Sequence, residues 1–152
     1  LLVREDLHSI CISMHASPEP LRIFAAVGRH GPLHAGGGPK ILLAFASRDI
    51  QQQVISGAPK SFMKMSIFEA DALTATLNQI RAEGCSMSVG ELDPNTFSIA
   101  APVRDHTGEV IAALSVNGPT GRLSDTNMDR IRAAVLSNAD QLSQMLGYRR
   151  TF

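Results

Sequence analysis

The chain has 152 residues, 44% hydrophobic and 18% charged, which suits one globular domain and argues against a disordered chain. Its 14 basic and 14 acidic residues cancel, so it lacks the positive excess of a nucleic-acid binder, and any DNA contact needs a further segment. No uninterrupted apolar run nears the roughly 20 residues of a membrane span, and "LLVREDLHS" has no secretion-signal pattern.

The first alternating segment, Leu7 to Met14, has strand periodicity, with Ile10, Ile12 and Met14 on one face and Ser9, Cys11 and Ser13 on the other. "SPEP" (17–20) reads as a turn and "LRIFAAV" (21–27) as a second strand completing a hairpin. "GRHGPLHAGGG" is loop, and Pro39 suits the first turn of a helix through Leu43 and Phe45. A short helix is expected at Gln51–Ile55, then a connection, "SGAPKSFMKM". Leu73, Leu77 and Ile80 recur at helical spacing between Glu69 and Glu83, where Gly84 stops the helix. Strands follow at 86–89, 96–103 and 110–116, joined by the turns "ELDPN" and "RDHTGE". A last helix begins near Ser124, with Met128, Ile131, Val135, Leu142 and Met145 on one face, and ends at Gly147. Strands joined by short turns and covered by helices make the class α+β, an antiparallel sheet with helices packed against it.

The most unusual stretch is "HAGGGPK" (34–40). A nucleotide-binding P-loop needs glycine before its lysine and Ser or Thr after it, whereas here Pro39 precedes Lys40 and Ile41 follows. The dinucleotide fingerprint fails as well. What remains is the physics of a helix start, where the unpaired N–H groups of Gly37 and Gly38 sit at the partially positive end and can receive a carboxylate. A glycine turn packed tightly on the sheet explains the same residues equally well.

The hairpin offers a second clue. With Arg104 opposite Glu109, Ser98 faces Ser115, Ala100 faces Ala113, and Asn117 shares the face of Ser115. Hydroxyls and an amide on an otherwise apolar hairpin need partners if buried: each other, water or a ligand. A solvent-facing sheet surface is the competing reading.

No acid–base pair, nucleophile elbow or histidine pair at metal-ligand spacing is present, so neither catalysis nor a metal or cofactor is expected. Cys11 and Cys85 read as buried free thiols, as in a reducing cytoplasm. The chain does not begin with Met, which suggests that it was cut from something longer.

Three segments together, "VGRHGPLHAGGGPKILLAF" (27–45), "IRAEGCSMSVGELDPNTFSIAAPVRDHTGEVIAALSVNGP" (80–119) and "RLSDTNMDRIRAAVLSNADQLSQMLG" (122–147), resemble the effector-binding domain of IclR-type transcriptional regulators. The resemblance implies a GAF-like fold with five to six antiparallel strands, residues 1–152 forming one effector domain. It also implies an N-terminal winged helix-turn-helix, absent from this stretch, through which operator DNA would be bound. Homodimers or homotetramers and a small organic acid effector are further implications. Carried over, the effector-binding positions are Gly37, Gly38, Ser88, Ser98, Ser115 and Asn117. Apolar walls are expected from Ile41, Leu42, Phe62, Met63, Met65 and Phe68, for which core packing is the plainer reading. Many relatives have an acid at Ser88, Arg at Phe97 and another residue at Pro39. Losing the acid at Ser88 removes a repulsive charge and a strong acceptor, so a more anionic or less hydroxylated effector is expected. A small enzyme on a related scaffold, or a dimerisation module with a vestigial pocket, are the alternatives.

Overall fold

The computed structural model describes residues 1–20, 22–23, 26–57 and 70–149. Chain order begins with strands β1 (Leu2–Glu5), β2 (His8–Cys11) and β3 (His30–Pro32), followed by helices α1 (Gly37–Ala44), α2 (Arg48–Gly57) and α3 (Ala70–Glu83). Strands β4 (Ser86–Val89), β5 (Thr96–Arg104) and β6 (Val110–Pro119) come next, and helix α4 (Asp125–Met145) closes the fold. The strands form one six-stranded sheet in the order β3-β2-β1-β6-β5-β4, with every pairing antiparallel. This is the α+β class read from the sequence.

Both faces of the sheet are covered. One carries α1, with α3 packed on α1, around a core of Leu33, Ile41, Leu43, Leu73, Leu77, Ile80, Ala100 and Ala113. The other carries α4, whose Val135 and Ala139 pack on Ala101, Val103 and Ala112. Leu73, Leu77 and Ile80 of α3 are buried, as their spacing predicts. In α4 the predicted face holds from Met128 to Leu142, but Met145 is 83% exposed. The α4 N-cap is Ser124, whose Oγ accepts from Asn127 N at 3.3 Å.

The N-terminal hairpin differs from expectation. Its strands are β1 and β2, joined through Asp6, which takes a positive φ of 49°. Asp tolerates that conformation better than most residues because its short polar side chain hydrogen-bonds locally. Residues 22–23 and 26–27 form no strand; β2 pairs instead with β3. The buried residues of β2 are Ser9 and Cys11, while Ile12 lies 46% exposed beyond the strand. Ser9 satisfies its hydroxyl by donating to the Gly31 carbonyl at 3.2 Å.

The β5–β6 register also needs correction. Ser98 pairs with Asn117 and Ala100 with Ser115: Arg104 pairs with Val110 instead of Glu109, which moves the ladder by one residue, and the slip at Val103/Arg104, where Val103 pairs with Ala112, adds a second. The shift from the predicted register is two residues. Side chains alternate with period two, so Ser98, Ser115 and Asn117 keep a common face.

Candidate functional site

Helix α1 starts at a point where nothing on the helix caps it. Gly36 is the N-cap, with φ at +90° and no side chain to offer the first amides. Gly37 and Gly38 follow, and Pro39 has no N–H to give. Lys40 N donates to Gly36 O at 3.3 Å, which closes the first turn. Among the described residues no acceptor meets the Gly37 or Gly38 amide.

The glycines also let the helix lie very close to the sheet. A Cβ at Gly37 would stand 2.6 Å from Ser98 Oγ and 2.9 Å from the Ser98 carbonyl. One at Gly38 would stand 2.7 Å from Leu2 Cδ1 and 3.7 Å from Ser115 Oγ. Close packing and unpaired amides therefore coexist at this turn.

Beneath it run two rows of paired residues across β4, β5 and β6. The first is Ser88–Ser98–Asn117 and the second is Ser86–Ala100–Ser115. Directly opposed residues of an antiparallel pair place their Cβ atoms about 4.5–5.5 Å apart, so each row is a contiguous strip. Ser88 is buried, Ser98 and Ser115 are half-buried, and Asn117 is exposed. Asn117 Nδ2 donates to Ser115 Oγ at 3.3 Å. Gly37, Gly38, Ser98, Ser115 and Asn117 are thus brought together, with Ser88 beside Ser98.

Four further residues, Ser86, Lys40, Glu91 and His34, are buried around this turn. Ser86, only 2% exposed, shares this face, and its hydroxyl has no hydrogen-bond partner among the described residues. Lys40 and Glu91 form a buried ion pair, Nζ to Oε1 at 2.6 Å. The other carboxylate oxygen of Glu91 accepts from Gly36 N at 2.9 Å, and Lys40 Nζ also donates to Met87 O at 3.4 Å. A carboxylate in the turn after β4 is ordinarily solvated; here the buried Lys40 of α1 draws Glu91 in. His34, just before the glycines, is buried. Burial pushes its imidazole below the ordinary histidine value, and the Glu91 charge pulls it back up.

The wall residues lie elsewhere or outside the description. Ile41 and Leu42 are in the core between α1 and α3. Phe62, Met63, Met65 and Phe68 fall outside the described residues. Phe97 points to the opposite face, packed with the core under α4, and so belongs to that core rather than to the serine rows. A cavity of about 500 Å³ lies at the far end of α1, between Phe45, Arg4 and Arg104. There the Arg104 guanidinium sits 4.9 Å from the Phe45 ring centroid and donates to Gly108 O.

Cys11 and Cys85 are both free and buried. They lie at β2 and beside β4, four strand spacings apart, or roughly 19 Å at about 4.8 Å each, far too distant for a disulfide. Burial raises the Cys85 thiol above its ordinary range. Among the described residues no helix is long and apolar enough to cross a membrane.

The candidate site is thus an uncapped glycine helix start set over a serine strip, on a sheet covered by helices on both faces. The family model for the bacterial transcriptional regulator IclR C-terminal domain matches residues 1–144, and the chain belongs to that family. It is 36% identical to the HTH-type transcriptional regulator BhcR of Paracoccus denitrificans, over 87% of this chain and 48% of that protein. It is 33% identical to KdgR of Escherichia coli, over 84% of this chain and 49% of that regulator. The chain therefore spans about half the length of these curated relatives. The crystal structure of the C-terminal domain of E. coli KdgR superposes with a TM-score of 0.80 at 29% identity, covering 97% of this chain and 85% of that one.

Proposed function

We propose that this domain senses a small carboxylic acid at the start of α1 and passes the signal to a DNA-binding domain elsewhere in the full protein. The observation that carries the reading is the pair of amides at Gly37 and Gly38, without an acceptor among the described residues, at a positive helix end over the Ser88–Ser98–Asn117 row. A carboxylate would accept from both amides, and the hydroxyls of Ser98 and Ser115 with the Asn117 amide would orient the rest of the molecule. Lys40 would not serve as counter-ion, because Glu91 already neutralises it. No acid is present at Ser88, so nothing on this row repels a second negative charge. The operating protein would be a cytoplasmic homodimer or homotetramer whose geometry on operator DNA depends on the effector.

Thermal melts with acetate, lactate, succinate and an aromatic acid test the reading. A carboxylate that binds raises Tm in a concentration-dependent way, by mass action. A panel that leaves Tm unmoved at high concentration favours a dimerisation module instead. The charge argument has its own check: Ser88→Asp should weaken binding of a dicarboxylate more than of a monocarboxylate, and unchanged selectivity would refute it.

A further inference from the structure

The residues considered so far would touch an effector; the structure also holds a pair that would act without touching it. We infer that the buried Lys40–Glu91 ion pair is the positioning element of the site, holding the Gly37 and Gly38 amides in place relative to Ser88 on β4. This inference rests on the carboxylate reading above.

The geometry is a clamp between two walls. Glu91 follows β4, and its two oxygens hold α1 at Lys40 Nζ (2.6 Å) and at Gly36 N (2.9 Å). Lys40 Nζ returns a weaker bond to Met87 O at 3.4 Å. Ser88 lies between Met87 and Glu91 in sequence, so these contacts bracket it. On α1 they bracket Gly37 and Gly38, which lie between Gly36 and Lys40.

The first turn needs such an external tie. Helix starts are ordinarily fixed by a Ser, Thr, Asp or Asn at the N-cap. Here the cap is glycine with a positive φ, and the carboxylate that receives its amide comes from 55 residues away. Two glycines at the next positions add no side-chain restraint of their own. Lys40 is 1% exposed and the Glu91 side chain 6%, so water screens the tie little.

A pair that served stability alone could be exchanged for apolar residues at little cost, since buried ion pairs give up much of their attraction to desolvation. A pair that positions amides could not. Two variants of the 152-residue chain separate these roles: Glu91→Asp, which keeps the charge on a shorter arm, and Lys40→Met/Glu91→Leu, which removes both charges together. Circular dichroism reports folding, thermal melts report Tm, and calorimetry gives Kd for acetate, lactate and succinate. The double variant should fold with Tm near wild type and bind the preferred acid at least about tenfold more weakly, a loss of about 1.4 kcal/mol. Glu91→Asp should also weaken binding, and it decides the matter if the double variant does not fold. Wild-type Kd in the double variant, or in Glu91→Asp when that variant stands alone, overturns the inference. If wild-type protein binds none of the three acids, the carboxylate reading falls and the inference with it, a result visible before any variant is made.

Discussion

At Gly37 the helix lies closer to the sheet than any side chain would permit. An alanine there would place its Cβ against both the hydroxyl and the carbonyl of Ser98, and backbone cannot step aside as a flexible side chain can. Gly37→Ala should therefore lower stability by about 1–3 kcal/mol, visible as a drop in Tm, and should weaken carboxylate binding as α1 lifts from Ser98. Ser86 works in the opposite sense. Its buried hydroxyl has no partner among the described residues, so Ser86→Ala should leave Tm unchanged or raise it, whereas a typical buried hydroxyl costs about 1–3 kcal/mol when its partner is lost. His34 makes a pH-dependent contribution. Its folded-state value is depressed, so the unfolded chain binds the proton more readily, and stability falls as pH drops below about 6.5. His34→Gln should flatten that part of the Tm–pH curve relative to wild type.

Elements were legible in the sequence where periodicity was long and punctuation strong. Leu73, Leu77 and Ile80 announce α3, and Ser124 and Gly147 bracket α4, because capping and helical spacing are local properties. The β1–β2 hairpin was missed because its turn rests on Asp6 at positive φ rather than on glycine, and its two strands are only four residues each. The β5–β6 register departs from the local expectation because the turn closes on Arg104–Val110 and the ladder slips once more at Val103/Arg104, neither of which a turn motif marks. There the Arg104 amide donates to Ser143 Oγ of α4 at 2.9 Å, while Ser143 donates to Ala139 O. Ser143→Ala would strip the Arg104 amide of that acceptor. A loss of about 1–3 kcal/mol in denaturant melts is expected, with carboxylate affinity unchanged, since α4 covers the opposite face.

Across the whole molecule, the proposed site is a junction between layers. Gly37 and Gly38 come from α1, Ser88 from β4, Ser98 from β5, and Ser115 and Asn117 from β6. The glycine triplet and the serine-bearing strands were legible one by one, and their two-residue periodicity kept Ser98, Ser115 and Asn117 on one face despite the wrong register. The Lys40–Glu91 pair was not legible, since 51 residues separate partners whose burial only the assembled fold creates. The most direct measurement is a titration of the ¹⁵N-labelled chain with short carboxylates, following the Gly37 and Gly38 amide resonances. A carboxylate that raises Tm should move both resonances saturably, at the same midpoint as the calorimetric Kd. A carboxylate that raises Tm while both glycine amides stay still would place the effector elsewhere and contradict the central claim.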